Sequence, residues 1–574
     1  MNKSKYIFML IFVSVFFVKT SFLFSQQPPS SQTAGGIAQQ EKAIQEEEAF
    51  RKRIKKEQEQ LQQISPEEIS QEDIGPKALV NRITVEGAVL LPQADIAVIT
   101  SRYEGEELSL RTMQKIADLI TDEYRKKGYA TSRAYLPPQT VKDGNLIIRV
   151  VEGRLGEFDI KGNRYFKTSL LKRRVGLVSG VPFDYGELQS SLTRLNEHPD
   201  RTAKVTLVPG QAQGTTDIVI ELEDNYPFHI GFEYDNFGSR YIDKDRFSFI
   251  TEHNNLLGFD DRLYMKFQRS ESDYYKLGMF RYILPVTNTI DVGTYFIYNK
   301  TNLAREFKPL NAEGEAYIGG IFGSWHFINK QDLDLILNLG FDYKDITNDL
   351  LGQLNSEDRI RMAKLGFDLD VSDKWGRTIV TPELDIGIPH IMGGMDSEEP
   401  VGTSRQGAGG KFYKGILNLF RLQPGPFETS MLWKNQAQLS RYNLVASEEF
   451  QIGGPYSVRG YPPAEFVGDS GYYTSFELSF PPYVIVPRDL KIPFSTDYLY
   501  DVFRVVLFYD WASVSVNNAM PGQEKSQTLK GCGFGFRFTF TNDLTARIEF
   551  GYPLGKEPSD GDNLHRWIEF TKKF

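Results

Sequence analysis

Three groups of residues have types that could do chemistry, and each lacks the neighbours that the chemistry needs. Residues 468–471 read Gly-Asp-Ser-Gly, as around the nucleophile of a serine protease, but a tyrosine replaces the second glycine and no upstream histidine motif supplies a base. Residues 409–411 read Gly-Gly-Lys without the flanking residues of a phosphate loop. The six histidines lack metal-ligand spacing, and His198 is expected to be structural. The sequence therefore predicts a protein that is not an enzyme and that uses no cofactor or metal.

Arg459 and Asp510 could instead form a buried ion pair. Arg459 lies in a long Gly/Pro-rich segment, and Asp510 falls on the face opposite the apolar series of its predicted strand. A guanidinium that loses water is best compensated by a carboxylate that it can meet with two parallel hydrogen bonds. From the residues alone, the favoured alternative places Arg459 in a water-exposed loop.

The elements that would position this pair are β-strands. From 226 to 574 the chain alternates apolar and polar residues between Gly/Asn/Asp-rich turns. One face of one such strand carries Leu333, Leu335, Leu337, Leu339, Phe341 and Tyr343, and one face of another carries Phe534, Phe536, Phe538 and Phe540. The strands run to roughly 9–11 residues, as tilted membrane strands do, whereas the strands of a soluble sandwich, the alternative, average about 5–6. About sixteen candidate strands predict an antiparallel transmembrane β-barrel wide enough for an aqueous channel.

Composition agrees with a barrel. The mean hydropathy is −0.37, but alternation hides a lipid-facing surface from such an average. Aromatic residues make up 13% of the chain, with 41 Phe and 29 Tyr, as the aromatic girdles of a barrel require. The net charge of −9 is spread along the chain, which disfavours nucleic-acid binding. The single cysteine, Cys532, excludes an internal disulfide.

The N-terminus is predicted to be an export signal over residues 1–25, because two lysines precede a short apolar stretch. A short membrane anchor is the alternative. Residues 26–78 are predicted to be a charged helical segment and linker. Glu/Lys/Arg pairs at i,i+4 support a helix between Ile37 and Gln63. Its thin apolar stripe favours a solvated single helix or a weak coiled coil.

Residues 79–153 and 154–224 repeat one pattern of strand, helix, helix, strand, strand. The second helix of the first repeat places Met113, Ile116, Ile120 and Tyr124 on one face, which is the spacing of a core stripe. Two small α+β units in tandem, without a catalytic arrangement, predict an interaction arm ahead of the barrel at 226–574.

Motif residues occur in both repeats and in the barrel. In the first repeat they are Gly128, Tyr129, Leu136, Pro137, Gln139, Gly144, Glu152 and Gly153, and in the second Asn196, Pro209 and Gly210. In the barrel they are Val458, Arg459, Gly460 and Tyr461 of a lumen-loop motif, with Phe508 and Asp510 of a Phe-x-Asp strand motif. Together they resemble the two-partner secretion transporters, the TpsB (ShlB/FhaC/HecB) family, over roughly residues 79 to 574.

The resemblance implies a mainly β protein in the bacterial outer membrane, surrounded by outer-membrane lipid, with two periplasmic POTRA domains. It also implies that these domains bind a secreted TpsA-like partner (adhesin- or haemolysin-like) in unfolded form, and that the barrel passes it outward without nucleotide. An edge strand of the arm could add the partner as a new strand, and we expect that contact on the first unit's second strand and second helix. The resemblance further implies that an Arg459–Asp510 pair holds the loop inside the barrel, with Gly460 in an unusual backbone conformation. The alternative function is a BamA/TamA-like assembly factor, although such factors usually carry three or more POTRA units.

Overall fold

A computed structural model describes residues 29–41, 77–141, 143–212, 214–330, 332–398, 401–483, 486–493, 495–541 and 543–574. The predicted signal peptide and residues 42–76 lie outside this part of the chain. Residues 34–41 form a helix, here α1. No helix within the described ranges is long and apolar enough to cross a membrane.

The first repeat is a small sheet beside two helices. Its elements are β1 (Lys77–Val80), β2 (Arg82–Glu86), α2 (Gln93–Thr100), β3 (Glu106–Ser109), α3 (Leu110–Lys126), β4 (Arg133–Tyr135) and β5 (Asn145–Val151). The sheet order is β2-β5-β4, and β1 pairs with β3. Ser109 caps helix α3, because its hydroxyl accepts the Thr112 N–H and so satisfies one of the helix's free donors. The predicted core stripe of α3 is confirmed, because all four of its residues are buried.

The second repeat has the same order of elements, without counterparts of β1 and β3. They are β6 (Arg154–Lys161), α4 (Thr168–Val175), α5 (Tyr185–Asn196), β7 (Arg201–Pro209) and β8 (Thr215–Asp224). The sheet order is β6-β8-β7, so that β7 is an edge strand. Asp184 caps α5 by accepting the N–H groups of Gly186 and Glu187. The two units contact through the backbone, where the Tyr185 N–H donates to the Gly128 carbonyl over 2.9 Å.

Sixteen antiparallel strands then close into a barrel, as the sequence predicted. The elements of this region are β9 (Phe228–Asp235), β10 (Arg246–His253), β11 (Arg262–Ser270), β12 (Tyr275–Pro285), β13 (Ile290–Asn302), β14 (Glu313–Asn329), β15 (Leu333–Leu350), β16 (Gln353–Asp373), β17 (Gly376–Gly387), β18 (Tyr413–Pro424), β19 (Ser430–Ser440), β20 (Phe450–Ile452), β21 (Phe466–Gly468), β22 (Ser470–Phe480), α6 (Leu499–Val502), β23 (Phe503–Ser515), β24 (Ser526–Thr539), β25 (Leu544–Pro553) and β26 (His565–Lys573). The short strands β20 and β21 pair only with each other, and the other strands of this list form the wall. The barrel closes where β26 pairs with β9.

The two faces of the wall differ in chemistry. The outer face exposes large apolar side chains such as Leu339, Trp433 and Phe476. The inner face carries buried polar residues such as Lys266, Glu477 and Asp510. This distribution is that of a membrane barrel with a polar bore.

The second unit is fixed to one rim of the barrel, called here the arm end; the opposite rim is the far end. Arg201 makes two hydrogen bonds to Asp260 in the β10–β11 turn, at 2.6 and 2.9 Å, and both side chains are buried. Arg174 donates to the carbonyls of Phe259, Pro285 and Thr287 in two arm-end turns. Because buried charges are stable only when paired, these contacts hold the second unit at the rim.

His198 belongs to the same junction and is structural, as expected. Its Nε2 lies 2.7 Å from the Asn254 carbonyl of the β10–β11 turn. Burial, together with the nearby Arg201 guanidinium, lowers the pKa of His198 to about 4, so that the ring is neutral at physiological pH.

Candidate functional site

The segment between β20 and β21 folds into the bore and carries the lumen-loop motif. Val458, Arg459, Gly460 and Tyr461 are all buried. The turn closes through hydrogen bonds from the Gly454 N–H to the Tyr461 carbonyl (3.0 Å) and from the Tyr461 N–H to the Val458 carbonyl (3.1 Å). The water-exposed alternative for Arg459 is therefore wrong.

Arg459 meets Asp510 on β23 with the predicted bidentate geometry. Its Nε and Nη2 donate to the two carboxylate oxygens of Asp510 over 2.8 and 2.7 Å. The Arg459 backbone N–H adds a third bond, of 3.1 Å, to the same carboxylate. Asp510 therefore holds both the side chain and the backbone of the loop.

Two further carboxylates that the sequence analysis missed also surround the guanidinium. Arg459 Nη1 lies 2.8 Å from Glu477 on β22 and 3.4 Å from Glu549 on β25. Arg537 on β24 bridges the same two acids at 2.8 and 2.6 Å. A signal for them existed in the sequence, because each acid falls on the polar face of an alternating strand.

The guanidinium also lies flat against Phe508, with 3.4 Å between its central carbon and the ring centroid. This is a cation–π contact with the other residue of the strand motif. Burial alone would lower the pKa of the Arg459 guanidinium. The negative charges of Asp510 and the two glutamates outweigh burial and hold the pKa well above its ordinary value. The group is a permanent cation that ties the loop to the wall.

Gly460 has a different role from the predicted one. The left-handed backbone conformations of this loop occur at Gly453 and Gly454, with φ of +105° and +97°, and not at Gly460. A Cβ on Gly460 would instead collide with the backbone of Tyr552 and Pro553. Glycine is therefore required at 460 because the loop backbone touches β25. Tyr461 is fully buried, and its hydroxyl donates to the Lys556 carbonyl over 2.8 Å.

The motif residues of the first repeat hold its loops. The Glu152 carboxylate accepts the N–H groups of Val89 and Leu90 and the Tyr124 hydroxyl. Tyr129 packs edge-on against Tyr124, and Leu136 packs on the core. The remaining turn positions act through the backbone: the Gly144 carbonyl accepts two N–H groups at the start of β2, and the Gly153 N–H donates to Ser132 Oγ.

The amide and proline motif residues lie at strand edges. The side-chain amide of Gln139 bonds both backbone groups of Ile147 on β5, beside Pro137. The side-chain amide of Asn196 bonds both backbone groups of Ala203 on β7. Pro209 ends β7, and the Gly210 N–H closes the following turn onto the Thr215 carbonyl over 2.9 Å.

Residues 29–41 lie inside the far half of the bore, which corrects the expectation of a solvated helix for residues 37–41. Ile37 is 2% exposed and packs on the inner wall. The Ala34 carbonyl accepts from Asn299 Nδ2 over 3.1 Å, and the Glu41 carboxylate lies 3.3 Å from Lys266 and 3.6 Å from Arg246. Glu41, the one charged residue of 29–41, faces two cations of the wall, which the composition alone could not reveal. The rest of the predicted helix, 42–63, lies outside the described residues.

Far-end loops also fold into the bore and meet this segment. Arg405 binds Asp469 and, at 3.1 Å, Glu449. Glu449 in turn accepts the Ser30 hydroxyl over 2.7 Å. Burial raises the pKa of the Glu449 carboxyl to about 7, although Arg405 opposes the shift. Asp469 of the protease-like segment is thus an ion-pair residue, and Ser470 exchanges hydrogen bonds with Ser440.

The described residues include no group of three or more His, Cys, Asp or Glu side chains that could hold a metal ion. Arg459, Arg405 and Glu41 each lie beside groups of opposite charge in the bore, an arrangement that positions loops and the N-terminal segment.

Comparison with known proteins agrees with this arrangement. The family model described as haemolysin secretion/activation protein ShlB/FhaC/HecB matches residues 214–500, half of the chain. A second model, the ShlB-type POTRA domain, matches residues 78–153.

Relatives and solved structures point the same way. The heme/hemopexin transporter protein HuxB of Haemophilus influenzae (strain 86-028NP) is 22% identical over 496 residues, which is 84% of each chain. The outer membrane transporter CdiB of Escherichia coli O6:K15:H31 (strain 536 / UPEC) is 24% identical, covering 71% of this chain and 69% of the relative. The structure of CdiB from Escherichia coli shares the fold, with a TM-score of 0.77 at 22% identity over 94% of this chain and 98% of the other. The chain therefore belongs to the ShlB/FhaC/HecB family of two-partner secretion transporters, whose β-barrel lies in the bacterial outer membrane and whose POTRA domains lie in the periplasm.

Proposed function

We propose that this protein exports one large exoprotein, of the adhesin or haemolysin kind. The POTRA pair binds the exoprotein in unfolded form in the periplasm, and the chain then passes outward through the barrel without nucleotide. Relatives named heme/hemopexin transporter protein, outer membrane transporter and hemolysin transporter protein support a secreted protein as the cargo.

The observation that carries this proposal is the docking of the second POTRA unit on the rim of the bore. The buried Arg201–Asp260 pair and the three carbonyl contacts of Arg174 fix that unit beside the periplasmic mouth. A polypeptide bound there is held at a short distance from the entrance. A passive porin would have no use for such an arm.

Export requires the bore to open. In the described state, residues 29–41 and the loop that carries Arg459 occupy the lumen. We propose that α1 leaves the bore when the exoprotein enters, and that Arg459 and Asp510 keep the lumen loop in place against the wall. The motif residues of the arm keep the POTRA edges and loops in shape for binding.

The test is deletion of the gene followed by comparison of the proteins in the growth medium. Loss of one exoprotein, with normal levels of other outer-membrane barrels, is the expected result. A general fall in barrel assembly would instead indicate an assembly factor of the BamA/TamA kind. An unchanged medium would overturn the proposed function.

A further inference from the structure

The strand edges of the two POTRA sheets differ in their free hydrogen-bonding groups. On β4 of the first unit the outward N–H and carbonyl belong to Ala134, and Thr121 Oγ1 bonds both, at 2.9 and 3.4 Å. The next position facing β5 is Pro137, which has no N–H, and the Gln139 amide bonds Ile147 in its place at 2.6 and 2.9 Å. Strand β4 is only three residues long and its outward groups at Ala134 are already bonded, so it offers an added strand no run of free groups.

The β7 edge of the second unit is closed only at its ends. The backbone groups of Ala203 point away from β8. The side-chain amide of Asn196 bonds the Ala203 N–H at 2.6 Å and the Ala203 carbonyl at 3.2 Å. Val205 and Leu207 follow in the same orientation, and their outward N–H and carbonyl groups have no partner among the residues that the structure describes. Pro209, the next outward residue, has no N–H and is the last residue of the strand.

The ladder confirms which way these groups point. The Gly210 N–H bonds the Thr215 carbonyl, and the Asn225 N–H bonds the Asp200 carbonyl, both in register with the β7–β8 pairing. The backbone N–H and carbonyl groups of even-numbered residues of β7 therefore point to β8, and those of odd-numbered residues point outward. Unpaired edge groups of this kind are a template for an added strand.

The side chains beside the open edge suit an extended polypeptide in which apolar and polar residues alternate. On the helix side, Val205 and Leu192 of α5 are half-buried parts of the core, and Leu207 continues the row at 38% exposure. On the opposite face the exposed residues are polar, as at Lys204 and Thr206. An added strand would therefore present apolar residues to the helix side and polar residues to water.

The direction of β7 connects this edge to the bore. Its first residue, Arg201, is the one that binds Asp260 at the rim of the barrel. A polypeptide lying along β7 therefore ends at the periplasmic mouth.

We propose that the β7 edge around Val205 and Leu207 is where an extended segment of the exported polypeptide adds as a fourth strand of the second POTRA sheet. Asn196 and Pro209 limit the open length to about five residues, or ~16 Å of strand. Because the backbone supplies the bonds, the edge accepts many sequences that alternate apolar and polar residues. This inference rests on the proposed function and places its binding step.

The test uses the full-length transporter and, as probe, the exoprotein missing from the medium of the deletion strain, unfolded in urea and diluted. The double variant Val205→Pro/Leu207→Pro removes two outward N–H donors and leaves the hydrogen bonds to β8 intact. Edge strands tolerate proline at positions whose N–H faces solvent. We expect probe affinity and export to fall at least tenfold. The control Val178→Thr changes an exposed apolar side chain of the same unit, in the loop that follows α4, and should leave affinity and export unchanged.

Hydrogen exchange keeps the test decisive if the proline variant misfolds. In the wild-type protein, the Val205 and Leu207 amides should exchange quickly alone and at least about tenfold more slowly with the probe. Unchanged exchange, or a folded proline variant that binds and exports normally, would overturn the inference. If the deletion strain loses no exoprotein, the proposed function fails and this inference with it. If it loses one that binds the edge variants normally, only this inference fails.

Discussion

The indole Nε1 of Trp567 donates a 2.8 Å hydrogen bond to the carbonyl oxygen of Arg459. Trp567 lies on β26, the last strand, whereas the Arg459 side chain is bound by β22, β23 and β25. The ladder that closes the barrel, β26 with β9, has only five residue pairs, against eleven for β22 with β23. The lumen loop therefore joins a strand of the shortest wall ladder to the strands whose carboxylates bind Arg459.

We predict that Trp567→Phe weakens the barrel while leaving it assembled. The change keeps most of the buried ring but leaves the Arg459 carbonyl without this donor, which costs about 1–3 kcal/mol. The temperature at which the folded band disappears in gel electrophoresis should fall. The matched control is Trp433→Phe on the lipid-facing side, whose Nε1 bonds Thr474 over 3.0 Å at an exposed position. Equal shifts in both variants would contradict the prediction.

We predict that Arg459→Asp and Asp510→Arg each reduce export at least tenfold, because breaking a buried ion pair costs about 3–5 kcal/mol. The double variant should not restore export, because the new carboxylate at position 459 would face Glu477 and Glu549 as well. The measurement is the amount of exoprotein in the medium, normalised to folded barrel in the outer membrane.

Charge reversal at an exposed arginine controls for that experiment. Arg488 has a side chain 73% exposed in a periplasmic turn, where it pairs with Glu428, and surface pairs contribute at most about 1 kcal/mol. Arg488→Asp should export normally. Normal export by either single variant at Arg459 or Asp510 would show that export does not need this ion pair.

Much of this architecture follows from local pattern. Alternation with period two fixes the face of every wall strand, so that the strand count and the inward direction of Asp510 could be predicted. The core stripe of α3 could be predicted for the same reason, because period 3.6 sets which side chains share a face.

The sequence pattern could not predict which residues distant in sequence contact one another. Glu477 and Glu549 come from β22 and β25, and the pairing of these strands through β23 and β24 brings both to one guanidinium. The reason for glycine at 460 is the backbone of β25, again distant in sequence. The burial of Glu41 depends on Arg246 and Lys266, so that a charged segment can be an interior one.

We predict that Glu41→Lys releases α1 from the bore. The variant places a third cation beside Arg246 and Lys266, in a pocket where Glu41 is 1% exposed. Repulsion between like charges in a buried site should favour the open state. Channel conductance in planar bilayers should rise. The matched control Gln39→Lys adds the same charge at a half-buried position of the helix and should have a smaller effect. Equal conductance of Glu41→Lys and wild type would contradict this.

We predict that the N-terminal segment is held more tightly at pH 6 than at pH 8. Burial raises the pKa of Glu449 to about 7, so that the closed arrangement binds a proton more tightly than a free carboxyl does. The stability that the protonated Glu449 contributes to the closed arrangement is complete below the ordinary pKa of 4.5. It is lost as the pH rises through about 7. Burial in the closed arrangement outweighs the Ser30 hydroxyl, which favours the ionised carboxylate, so channel openings should become more frequent over that range. Glu449→Gln cannot ionise and should flatten the dependence; an identical pH profile in this variant would assign the titration to another group.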